Sequence, residues 1–93
     1  MALPVSSPRV RRILVVEDDE ALRGVIVRHL RRRSFEVHDF ADAESVMTDI
    51  VARSPDQASP CDIVLADVHL PRLSGIELAR LMQARWPTQQ IVP

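Results

Sequence analysis

The sequence predicts an α/β fold built on a parallel sheet, and three observations predict it. Segments of strand and helix character alternate three times along the chain. Two of the strand-like segments, Ile13-Leu14-Val15-Val16 and Ile63-Val64-Leu65-Ala66, are continuous apolar runs rich in β-branched residues, as strands covered on both faces require. Both runs lead directly into acid. The 93 residues suffice for one small domain, and 46% hydrophobic with 27% charged residues describes a globular chain rather than a disordered or fibrous one.

Taken in order, residues 1–10 carry Pro4 and Pro8 and lack the apolar stretch of a signal peptide. They are expected to be a flexible lead-in to a cytoplasmic protein, with the folded unit in residues 11–93. After the first strand comes a helix capped by Asp19, with Leu22, Val25, Ile26, His29 and Leu30 recurring at intervals of three and four. Arg31-Arg32-Arg33 suits the negative end of its dipole, and Ser34 closes it. Phe35, Val37 and Asp39 alternate with polar neighbours as a second, short strand. Asp42 is positioned to cap a second helix with Ala43, Val46, Met47, Ile50 and Val51 on its apolar side. The stretch from Ser54 to Pro60 is rich in turn formers and too short to divide domains. The third strand follows. A loop from Val68 to Ser74 then opens a third helix carrying Ile76, Leu78, Ala79, Leu81 and Met82, which ends before Trp86-Pro87. Gln90-Ile91-Val92-Pro93 reads as the lead-in to a fourth strand.

Charge and composition exclude several classes. The formal net charge is −1, so no bulk field points to nucleic acid or membrane. All twelve basic residues are Arg, so chemistry that needs a lysine ammonium has no supplier in these residues. A single cysteine, Cys61, excludes an internal disulfide framework and a cysteine zinc site, and fits a buried small apolar residue in a reducing compartment. No apolar run approaches a membrane span. A glycine-rich phosphate loop, a G-x-S-x-G elbow and a metalloprotease helix are all missing, which argues against an independent hydrolase or dehydrogenase.

The chemistry concentrates where strands end. Right-handed crossovers place the carboxyl ends of all parallel strands on one edge, and the crevice of an open sheet lies where strand order reverses. If the first and third strands are neighbours there, Glu17, Asp18 and Asp67 converge. Clustered carboxylates raise one another's pKa unless something offsets the charge, and Mg²⁺ with oxygen ligands does so. The spacing thus suggests a Mg²⁺ site with one carboxylate free to react. Each part also has a plain structural explanation. Capping and the helix dipole account for acids at Glu17–Glu20, and a lone Asp67 at a strand end serves as a turn former.

The segment Ile13-Leu14-Val15-Val16-Glu17-Asp18-Asp19-Glu20, followed by Asp67-Val68-His69-Leu70-Pro71-Arg72-Leu73-Ser74-Gly75, resembles the receiver domain of bacterial two-component response regulators. The resemblance covers about Arg12 to Val92 and implies a flavodoxin-like (CheY-like) parallel sheet with helices on both faces. It implies that Asp67 is the phosphoacceptor, taking a phosphoryl group from a sensor histidine kinase or phosphotransfer protein. It further implies that Asp18 binds Mg²⁺ directly, Glu17 through water, and His69 through its backbone carbonyl. Pro71 and Gly75 would shape the loop, with Gly75 letting the backbone turn without steric cost. The His69 side chain would flank the pocket, since one imidazole is a poor partner for Mg²⁺. Such a domain is a signalling module, not an enzyme beyond its own phosphorylation and dephosphorylation, and often serves transcriptional control through an attached domain.

The family's pattern continues through further elements that supply a Ser or Thr after strand four and a Lys after strand five. Thr88 precedes any fourth strand, and Lys is absent. The expectation is therefore an incomplete fold of about three βα units, either a fragment or a chain that covers its exposed first helix by homodimerisation or domain swapping. A non-phosphorylated interaction or dimerisation module is the alternative function. A nucleic-acid binder resting on Arg28-His29-Leu30-Arg31-Arg32-Arg33 is a third, but that run reads better as a solvated helix end because aromatic stacking partners are scarce.

Overall fold

A computed structural model describes residues 11–53 and 57–93. The expected lead-in at residues 1–10 and part of the turn-rich stretch, residues 54–56, lie outside the described residues. The elements follow as β1 (Arg12–Val16), α1 (Glu20–Arg32), β2 (Glu36–Phe40), α2 (Ala43–Val51), β3 (Ile63–Ala66), α3 (Gly75–Arg85) and β4 (Gln90–Val92). The lead-in to a fourth strand is thus a formed strand of three residues. The sheet is parallel throughout, in the order β2-β1-β3-β4. The chain steps from β1 to one side for β2 and returns to the other side for β3, so the order reverses between β1 and β3.

Both faces of β1 are buried, which explains its unbroken apolar run. Leu14 and Val16 join Ala43, Val46 and Ile50 of α2 and Leu78 and Met82 of α3 in the larger core. Ile13 and Val15 face the other way, toward Val27 of α1 and Val37 of β2, with Ile26, Leu30 and Leu65 packed around them. One helix therefore covers one face and two cover the other. Cys61 is buried in the larger core, and burial raises its thiol to about 11, so it behaves as an apolar group.

Local signals end each helix. The Asp19 side chain accepts from the Leu22 amide at 3.0 Å and that of Asp42 from Ser45 at 2.7 Å, both as the sequence predicts. Hydrogen bonds from Ser45 hold the Asp42 carboxyl below the usual aspartate range. Ser74 caps α3 in a reciprocal box with Glu77. Ser34 takes a left-handed φ of 68° after α1, where its amide reaches Arg31 O and that of Phe35 reaches Leu30 O, the paired bonds of a Schellman turn. At the end of α2, Arg85 from α3 donates to the carbonyls of Ile50 and Arg53, the first of which also accepts from the Arg53 amide at 3.0 Å.

The apolar stripes differ from those predicted at the helix flanks. On α1 the buried position is Val27, while Leu22 and Val25 are exposed and His29 points to water. Ile26 and Leu30 of the predicted stripe do pack with Val27 against Ile13, Val15 and Val37, so the face turned to the core is shifted toward Val27 and away from Leu22 and Val25. Leu22, together with the outer side of Ile26, borders a groove of about 350 Å³ beside Leu65 and Pro93. Val51, Ile76 and Leu81 are likewise exposed. No helix among the described residues is long and apolar enough to cross a membrane.

Leu78 is fully buried and Val51 is largely exposed. Leu78→Ala is expected to lower stability by about 2–5 kcal/mol, and Val51→Ala to stay within about 0.5 kcal/mol of the parent chain. Chemical denaturation of the two variants checks the assignment of the core.

Candidate functional site

The last residue pair between β1 and β3 is Val16↔Ala66, so the next residue of each strand emerges at the same edge. Those residues are Glu17 and Asp67. The Asp67 amide still donates to Val16 O at 3.1 Å, and the Glu17 amide to Phe40 O at 3.1 Å, which extends the ladder one step past the strand ends. Glu17, Asp18 and Asp67 each place a carboxylate oxygen within 4.8 Å of the others. Glu17 is buried, Asp67 is half-buried and Asp18 is exposed, giving a graded site open to solvent on one side.

Burial pushes the Glu17 carboxyl above the ordinary glutamate range. The Asp19 amide, which donates to Glu17 Oε2 at 3.2 Å, opposes that shift, while Asp18 and the charge of Asp67 add to it. An anionic trio around an electrostatically stressed carboxylate is a donor set for a hard divalent cation. Three oxygen ligands, no sulfur and an open solvent side fit Mg²⁺, which keeps several of its own waters.

Each sequence-predicted site residue has a definite place. The three carboxylates are brought together. His69 is exposed and meets the site through its amide, which donates to Asp67 Oδ1 at 3.0 Å and restrains that carboxylate. Pro71 is exposed in the loop after β3. Gly75 is buried at the start of α3, but its φ is not positive, so conformational freedom is not its role. A Cβ there would lie 2.3 Å from the Asp67 carbonyl oxygen. Glycine is required because α3 presses directly against the main chain of Asp67.

The left-handed residue of this loop is Arg72, with φ 62°. Its strained backbone is held by Glu44 at the start of α2, which accepts from Arg72 Nε at 2.9 Å and from the Leu73 amide at 3.1 Å. Arg23 is the other contributor absent from the sequence reading: it donates to Glu17 O and pairs with Asp39. Their partners lie 28 and 16 residues away, and no short-range pattern signals such pairs.

The raised value of Glu17 fixes the sign of a pH effect. The native state retains a proton that the unfolded chain releases, so metal-free stability falls as pH rises from the ordinary glutamate range through the raised value. Metal-free Glu17→Gln is expected to be more stable than the parent chain at neutral pH, with the difference shrinking toward acid. Thermal melts in chelator across a pH series measure it. Parallel stability curves for the two proteins would contradict the assignment.

Comparison with known proteins agrees with this geometry. Residues 13–93 match the family described as the response regulator receiver domain. The alkaline phosphatase synthesis transcriptional regulatory protein SphR of Synechococcus elongatus is 32% identical over 92 residues, covering 96% of this chain. The chain spans only 35% of that relative's length. Among solved structures, the chemotaxis response regulator CheY4 of Vibrio cholerae matches with a TM-score of 0.74 at 21% identity, over 89% of this chain and 66% of its own. Response regulator TrrA of Thermotoga maritima, solved in complex with Mg²⁺-BeF, matches with a TM-score of 0.74 at 23% identity, over 88% and 66%. Likenesses at such identity establish the CheY-like fold alone. With the family match spanning nearly all the described residues, the chain belongs to the response regulator receiver domain family.

Proposed function

We propose that this chain is the phosphoacceptor module of a two-component phosphorelay, with Asp67 receiving the phosphoryl group. The observation that carries the reading is the convergence of Asp67 with Glu17 and Asp18 at the edge where strand order reverses. In the proposed reaction an Asp67 carboxylate oxygen attacks the phosphorus of a phosphohistidine on a sensor kinase or phosphotransfer protein. An O–P bond forms, the N–P bond to the imidazole breaks, and an acyl phosphate remains on Asp67. Asp18 and Asp67 would hold Mg²⁺ directly, Glu17 through water and His69 through its main-chain carbonyl. Mg²⁺ held by these residues would supply charge neutralisation for the phosphoryl transfer.

The chain's own groups do the positioning. The His69 amide restrains Asp67, and the close approach of Gly75 fixes its main chain. The family role is signalling, and catalysis extends no further than the domain's own phosphorylation and dephosphorylation. Transcriptional control, as in the name of the SphR relative, and a cytoplasmic setting complete the proposal. Nucleic acid and membrane are not proposed as direct partners of these residues.

Incubation with Mg²⁺ and acetyl phosphate is expected to give an acid-stable, base-labile phosphate on the chain. Asp67→Asn should abolish the label, and omission of Mg²⁺ should reduce it by at least about 100-fold, on the scale of lost charge stabilisation in such transfers. Labelling that survives in Asp67→Asn would overturn the assignment. A second reading, a non-phosphorylated interaction module acting by dimerisation, is favoured by exposed Leu22 at the groove next to Leu65 and by exposed Val25 on the same helix. It predicts concentration-dependent self-association that is indifferent to Asp67→Asn, readable by size-exclusion chromatography.

A further inference from the structure

We propose that Arg23 is a positioning residue for the acidic site, holding the peptide that carries Glu17 into Asp18, with Asp39 as its anchor. The inference rests on the reading of Glu17, Asp18 and Asp67 as a Mg²⁺ site, and it adds a group that the acidic motif does not contain.

The Arg23 guanidinium spans three elements. Its Nη1 donates to the main-chain carbonyl of Glu17 at 2.7 Å, just past the end of β1. Its Nε donates to Asp39 Oδ2 on β2 at 3.1 Å. Its own amide donates to Asp19 O at 2.8 Å, so the base of the side chain sits in the first turn of α1. The side chain is only 17% exposed, well sheltered for an arginine on a helix flank.

The effect is to fix both main-chain polar groups of Glu17. Its N–H is held by Phe40 O of β2, and its C=O by Arg23, which is tied to the neighbouring β2 residue Asp39. With both ends of the residue restrained, the directions of the Glu17 side chain and of the following Asp18 are set by β2 and α1 together. A carboxylate cluster whose members repel one another needs such restraint, because relaxation of one ligand away from the others lowers the apo energy and weakens the site. The Arg23–Asp39 pair is neutral as a unit, so its contribution is geometric rather than a charge brought to the cluster. The planar fork, with donors aimed at two acceptors at once, is the property that an ammonium point charge does not reproduce.

Mg²⁺ titration by calorimetry at neutral pH tests the inference in four variants of the chain. Arg23→Met, which keeps the apolar stem, is expected to weaken Mg²⁺ binding by roughly tenfold, the scale seen for groups that orient metal ligands. Arg23→Lys is expected to stay weak although it keeps the charge, and Asp39→Asn to show a smaller loss. Val27→Ala removes methyl groups from the core beneath the same helix and serves as the stability control: its melting temperature should fall while its Mg²⁺ affinity stays within about twofold of the parent. Parent-like Mg²⁺ affinity in Arg23→Met would overturn the inference, and parent-like affinity in Arg23→Lys would overturn its geometric basis. If Arg23→Met does not fold, Asp39→Asn carries the test, and parent-like affinity there overturns the role of the pair. Failure of the unsubstituted chain to bind Mg²⁺ would instead overturn the site reading on which the inference stands.

Discussion

Three carboxylates crowd one sheet edge, and the surrounding structure is organised to keep them there. Their oxygens lie within 4.8 Å of one another, where like charges repel and burial of Glu17 adds a desolvation cost. Parallel pairing of β1 with β3 makes the convergence unavoidable, because Val16 and Ala66 are partners and the acids follow immediately. The cluster is therefore a destabilising feature in the metal-free chain, and the fold must be held by interactions elsewhere. The two-faced core around β1 provides them, with Val15 and Val16 almost completely buried on opposite sides of the same strand.

Around this edge the main chain is tied from several directions. Gly75 lets α3 approach the Asp67 carbonyl, Glu44 of α2 clamps the left-handed turn at Arg72, and Arg23 of α1 holds the Glu17 carbonyl. Each helix thus contributes one constraint to the segments that bear the acids. In the loop between Asp67 and α3, Arg72 adopts a left-handed conformation that a side chain disfavours, as Ser34 does after α1. The loop is joined to α2 by the exposed pair of Arg72 with Glu44.

The acidic site was legible in the sequence because it depends on local pattern. Apolar runs that stop abruptly at an acid announce strand ends, and the parallel topology brings those ends together. The caps at Asp19 and Asp42 and the core positions Ala43, Val46 and Ile50 were legible for the same reason. The choice of face on α1 was not: Leu22 and Val25 compete with Val27 for the core, and only the position of β2 decides between them. The purpose of Gly75 was misread as freedom to turn, since nothing in the sequence shows that the Asp67 carbonyl lies 2.3 Å from where its Cβ would be. Arg23–Asp39 and Glu44–Arg72 join residues far apart in the chain, and pairs of that kind emerge only once the layers are assembled.

The central claim is that the convergent acids form one cation site rather than three independent caps and turn formers. The most direct measurement is a Mg²⁺ titration followed by two-dimensional amide NMR of the uniformly labelled chain. The account predicts saturable shifts that share one binding curve and are confined to Glu17, Asp18 and Asp19, to Asp67, Val68 and His69, and to residues bonded to them. Weak, unsaturated shifts spread over the other exposed acids, Glu20, Glu36 and Glu77 among them, would contradict it.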